Sequence, residues 1–244
     1  DGESIDCGMV LLAVGVTPDT ALAARAGLAL GQKGAIVVDS HLRTSDPDIY
    51  AAGDAVEVIQ PLTGGRVLIP LAGPANRQGR IIADNLCGIE SEYKGTLGAS
   101  VVKVFDMTAA CVGLNEKTAK AAGIPYDKVV NYSASHATYY PGGHNMTLKP
   151  LFDPDTGRIL GAQITGFDGV DKRIDVLSTA IQAHMTGEDL SALELAYAPP
   201  FSSAKDAVNM AGFAIENVRS GLVAQHHWDD VAALPRDGSV VLLD

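Results

Sequence analysis

Up to residue 94 the apolar residues fall in short unbroken runs. The longest, Met9-Val10-Leu11-Leu12-Ala13-Val14-Gly15-Val16, predicts a strand buried on both faces of a parallel sheet. A buried strand this early implies sheet neighbours upstream of residue 1. At the other end Ser239-Val240-Val241-Leu242-Leu243 predicts a further strand, so the chain is expected to be part of a longer protein. Ala35–Asp39 and Ile49–Ala52 predict two short strands, the second ending at Gly53-Asp54. Pro74 and Gly88 bracket a predicted helix over Pro74–Cys87. Beyond residue 95 the pattern changes. Strands are expected at Val101–Phe105 and Val129–Ala134, and a hairpin turns at Asp153-Pro154-Asp155-Thr156-Gly157. A short helix starts at the cap Asn115 and stops at Gly123. Val170, Ile174, Leu177 and Ile181 mark one apolar helix face, and Val208, Ala211, Ile215 and Val218 another, in a helix expected to start at Ser203 with Asp206 completing its cap. The expected organisation is α/β over residues 1–94, an α+β domain with an antiparallel sheet over 95–220, and a linker leading into another domain over 221–244.

Composition narrows the function classes. The chain has 244 residues, 47% hydrophobic and 19% charged, an ordinary globular balance. A net charge of −11 argues against nucleic acid and against an anionic membrane surface, both of which need clustered cations. No apolar run is long enough to span a membrane. Cys7, Cys87 and Cys111 form no paired motif, and a sparse, odd count reads as a reducing, cytoplasmic location. Each cysteine is expected to be a small buried residue. The histidines, among them His41, His136, His144 and His184, show no metal-ligand spacing, so no metal site is expected.

The most informative segment is Thr44-Ser45-Asp46-Pro47-Asp48-Ile49-Tyr50-Ala51-Ala52-Gly53-Asp54. A glycine and a carboxylate at the end of a strand sit where α/β sheets bind nucleotides. Gly53 allows close backbone approach, and Asp54 can accept hydrogen bonds from sugar or ribityl hydroxyls. The residues alone leave a second reading open, in which Asp54 caps a turn or helix.

This segment resembles the second flavin-binding motif of the pyridine nucleotide–disulfide oxidoreductase family, T-x-x-x-x-I-Y-A-x-G-D, at every fixed position. Ala13-Val14-Gly15-Val16-Thr17-Pro18 resembles the last strand of the family's NAD domain. Leu71-Ala72-Gly73-Pro74-Ala75-Asn76-Arg77-Gln78-Gly79-Arg80 resembles the helix whose N-terminus faces the flavin pyrimidine ring. Residues 95–220 resemble the dimerisation domain. Where one subclass carries a His-Pro-Thr motif, this chain has Ala196-Tyr197-Ala198-Pro199-Pro200-Phe201-Ser202-Ser203-Ala204-Lys205-Asp206. Together with Ser135-His136-Ala137-Thr138-Tyr139-Tyr140-Pro141-Gly142, that resembles the subclass with a single redox cysteine: coenzyme A-disulfide reductases, NADH oxidases and persulfide reductases. The tail from Trp228 resembles the opening of a rhodanese domain.

The resemblance implies FAD and NAD(P)H as cofactors, with Gly53, Asp54, Leu71, Ala72 and Gly73 at the flavin. It implies a homodimer in which Tyr139 and Tyr197 reach the partner's nucleophilic cysteine, a residue lying outside this chain. Tyr140 is the alternative to Tyr139. The substrate it implies is a coenzyme A disulfide or persulfide. Oxygen or peroxide reduction by an NADH oxidase is the alternative, and the chain in isolation could serve as a non-catalytic dimerisation module.

Overall fold

The computed structural model describes residues 2–241, which divide between Thr96 and Leu97 into two compact units. In the first, α1 (Ala21–Arg25) precedes a three-stranded sheet. Strand β1 (Ile36–Val37) runs parallel to β2 (Val56–Ile59), which pairs antiparallel with β3 (Arg66–Val67). Helix α2 (Ala72–Leu86) follows. Val38, Leu42, Val56, Val58 and Tyr93 form the core, with Ile81 and Ile82 of α2 packed against it.

Three expectations in this unit are corrected. Met9–Val16 forms no strand and is solvent-exposed, Leu11 at 86% and Val14 at 90%, because no strand among the described residues pairs with it. Ile49–Ala52 is reduced to a single bridge between Tyr50 and Arg43 for the same reason. Helix α2 begins at Ala72, not at Pro74.

The second unit is built on one antiparallel sheet. Its strands are β4 (Ser100–Val104), β5 (Met107–Gly113), β6 (Asp127–Lys128), β7 (Asn131–Ala134), β8 (Asn145–Phe152) and β9 (Ile159–Gly166), in the order β4-β5-β9-β8-β6 with β7 also on β8. The hairpin expected at Asp153–Gly157 joins β8 to β9. Helix α3 (Glu116–Ala122) is closed by a reciprocal Asn115–Thr118 cap and by Gly123. Helix α4 (Val170–Gln182) buries Val170, Ile174, Leu177 and Ile181, the predicted stripe. Helices α5 (Gly187–Ala192) and α6 (Ala207–Arg219) cross closely: a Cβ on Gly212 would fall against the Ser191 amide and the Gly187 carbonyl. Helix α6 starts later than expected. Asp206 itself is the cap, accepting from the Val208 amide, and Ser203 stays outside the helix.

The tail contains α7 (Trp228–Val231) and no strand at Ser239–Val241; Leu242, Leu243 and Asp244, the rest of the predicted final strand, lie outside the described residues. Among the described residues no helix is long and apolar enough to cross a membrane.

Candidate functional site

The glycine–aspartate segment and the start of α2 are tied together within the first unit. The chain turns at Gly53 with φ +91°, a conformation that favours glycine. The Gly53 amide donates to Gln78 Oε1 at 2.7 Å, and Gln78 is buried on the inner face of α2. Leu71, the cap of α2, contributes no side-chain hydrogen bond. The first amide to bond back along the helix is that of Ala75, to the Leu71 carbonyl, and Pro74 has no N–H. Two exposed amides, Ala72 and Gly73, are therefore left at the positive end of the helix dipole. Asp54 is exposed, and no described residue supplies it with a partner.

The second unit brings Tyr139 and Tyr197 together. Their hydroxyls lie 2.8 Å apart, although the residues belong to two different loops. Tyr139 is 75% exposed and Tyr197 45%. The hydrogen bond to Tyr139 raises the pKa of Tyr197 above the ordinary phenol value, and partial burial adds to the effect. Tyr140 turns elsewhere, packing edge-on against His136 with ring centroids 5.7 Å apart.

The same unit contains a buried ionic network that the sequence did not reveal. Arg173, 1% exposed, donates from Nε and Nη2 to the Asp206 carboxylate, with Nη2–Oδ2 at 2.7 Å. The same Nη2 reaches the Ser135 carbonyl at 2.8 Å and Ser202 Oγ at 3.4 Å, and Nη1 reaches the Gly169 carbonyl at 3.1 Å. Burial pushes the Asp206 carboxyl up, but the bonds from Arg173, Ser202 and the Val208 amide prevail and hold it below its ordinary value. The signal was present in the sequence: Arg173 interrupts the apolar face of α4. Gln78 similarly occupies an inner position of α2, and only the fold shows that its amide reaches Gly53.

The cysteines are not small core residues. Cys7, Cys87 and Cys111 are all exposed, and Cys111 lies within β5 with its Sγ 3.2 Å from Ser100 Oγ. Among the described residues, no cluster of His, Cys, Asp or Glu could hold a metal ion.

The profile described as pyridine nucleotide-disulphide oxidoreductase matches residues 1–79, and that of the dimerisation domain of the same family matches residues 99–208. The chain belongs to the pyridine nucleotide-disulphide oxidoreductase family. It is 38% identical to an NADH oxidase of Methanocaldococcus jannaschii over 86% of this chain and 47% of that protein. It is 38% identical to a coenzyme A disulfide reductase of Staphylococcus haemolyticus over 87% of this chain and 48% of that protein. Among solved structures, reduced Bacillus anthracis CoADR-RHD matches with a TM-score of 0.91 and 52% identity, over 96% of this chain and 42% of that one. The chain thus spans about half the length of the curated relatives it matches. The family uses FAD and NAD(P)H, and its α/β segment followed by an antiparallel dimerisation domain is the fold expected from the sequence.

Proposed function

We propose that this chain is the C-terminal part of a homodimeric, cytoplasmic NAD(P)H- and FAD-dependent reductase of coenzyme A disulfides or persulfides, whose single redox cysteine lies outside the chain. The observation that carries the reading is the Tyr139–Tyr197 hydroxyl pair, in a chain whose relatives include enzymes named for coenzyme A disulfide reduction. The half-length match supports the reading of the chain as a part.

The first unit fits part of an FAD site. Asp54 offers an unpartnered carboxylate to ribityl or sugar hydroxyls. The Ala72 and Gly73 amides, with Leu71 as the cap, offer two donors to a ring carbonyl that gains negative charge. Gln78 holds Gly53 in place, which sets where Asp54 is presented. FAD, when bound, would carry electrons from the nicotinamide to a mixed disulfide on the single cysteine. In the second unit the tyrosine pair donates a hydrogen bond to the sulfur that becomes a thiolate. A phenol of ordinary pKa ~10 can do this without ionising, and the raised pKa of Tyr197 keeps its proton available. The tyrosines act in the partner subunit's site. In the domain arrangement supporting this reading, residues 1–94 belong to the NAD- and FAD-binding domains, 95–220 to the dimerisation domain and 221–244 to a linker and the start of a rhodanese domain.

The test is turnover by the enzyme that carries this chain. Y197F should lower coenzyme A disulfide reduction about 10²-fold, the usual weight of one proton donor, while anaerobic reduction of the flavin by NAD(P)H stays unchanged. Equal rates in Y197F and the parent would end the reading. Faster turnover with oxygen than with coenzyme A disulfide would favour the NADH oxidase alternative, which the M. jannaschii relative represents.

A further inference from the structure

We infer that Arg173 is a positioning residue: its buried guanidinium ties together the two loops that carry Tyr139 and Tyr197 and holds their hydroxyls within hydrogen-bond reach. Its relevance to catalysis rests on the proposed role of the tyrosines, but the positioning itself can be tested without it.

Tyr139 sits in the loop between β7 and β8. That loop is closed at its base by Ser135, whose amide donates to the His144 carbonyl at 2.8 Å and whose Oγ accepts from the His144 amide at 3.2 Å. Arg173 Nη2 binds the Ser135 carbonyl at that same closure. Tyr197 sits in the loop before α6. The Ser202 amide donates to the Ala198 carbonyl, next to Tyr197, and Ser202 Oγ donates to Asp206 Oδ2 at 2.5 Å. Arg173 grips both Ser202 and Asp206. The loops also meet directly, through the Ala137 amide and the Ser202 carbonyl at 3.0 Å. One side chain therefore contacts the anchor of each tyrosine loop, while the tyrosines themselves remain exposed.

Core stability alone does not explain this choice of residue. Two charges taken out of water incur a large desolvation cost, and well-packed apolar residues of similar volume often do as well or better. The flanking inner positions of α4, Val170, Ile174 and Leu177, are apolar. What an apolar residue cannot do is accept the fixed geometry of a carbonyl from one loop and a hydroxyl and carboxylate from the other. The planar, forked guanidinium does so, and a lysine ammonium would hold fewer of these bonds in place.

The readout is the titration of Tyr197 in the full 244-residue chain, followed by NMR on ¹³C-labelled tyrosine and assigned with Y197F. In the parent chain Tyr197 should titrate above the ordinary phenol value of about 10, and Y139F should lower it toward that value. R173K should lower it as far as Y139F does, with the far-ultraviolet circular dichroism and the Tyr126 resonance unchanged. S202A, which spares the Arg173–Asp206 pair, should move Tyr197 part of the way. The inference is overturned if Tyr197 titrates normally in the parent, or keeps its raised value in folded R173K. Should R173K not fold, a Tyr197 value in folded S202A equal to the parent's overturns it. Because nothing here depends on turnover, an unaffected Y197F enzyme would refute the catalytic reading and leave this result standing.

Discussion

Glu116 lies between two ammonium groups, Lys128 Nζ at 2.7 Å and Lys149 Nζ at 3.0 Å. Burial pushes its carboxyl up, yet the hydrogen bonds and charges of the two lysines pull it down to about 2. A carboxyl whose pKa is depressed on folding stabilises the protein above its unfolded pKa, and that contribution disappears as pH falls through the folded value. E116Q should therefore lower stability at neutral pH by about 1 kcal/mol, once solvent screening is taken into account. The deficit should narrow as pH falls from about 4, where the carboxyl of the unfolded chain takes up its proton, toward the folded value of about 2. Thermal midpoints of both proteins at stepped pH would check this, and a pH-independent deficit would contradict it. The residue scale is also where the sequence was hardest to read. Asp54 and the two tyrosines stood out because their motifs are local in the chain. Glu116 with its lysines, and Arg173 with Asp206, did not, because each set is assembled from separate elements.

At the scale of the element, the start of α6 separates two readings of one stretch of sequence. Ser203 and Asp206 have capping-box spacing, but Ser203 makes no side-chain bond to the helix while Asp206 caps it and neutralises Arg173. S203A should change stability by no more than about 0.5 kcal/mol, whereas D206A should cost about 3–5 kcal/mol by leaving a buried cation unpaired. Urea unfolding of both variants decides between them; equal costs would restore the earlier helix start. The amphipathic helices and the β8–β9 hairpin were legible because periodicity and turn chemistry are encoded within each segment. Strands without a described neighbour, Met9–Val16 and Ile49–Ala52, were misread because a strand needs a partner that a run of apolar residues cannot supply.

At the scale of the whole molecule, the chain holds one part of a proposed flavin site and one side of a proposed dimer site. The described residues offer Asp54 and the α2 amides, but no glycine-rich cradle for a pyrophosphate precedes them in this chain. Purified alone, it should carry well under one flavin per chain by visible absorbance, and size-exclusion mass should report a dimer. Stoichiometric flavin, or a monomer at all concentrations, would contradict these expectations. The family and fold were legible here because two separated motifs agreed on one architecture.

The exposed stretch Met9–Val16 has a further consequence, one of colloidal behaviour. It is exposed, apolar and uncharged, and its backbone groups find no partner among the described residues. Such a segment is a template on which a second chain can add β-strand hydrogen bonds. Concentrated solutions of this chain should scatter light increasingly with time, and V10K/L12K should delay that onset by placing charges where strands would otherwise stack.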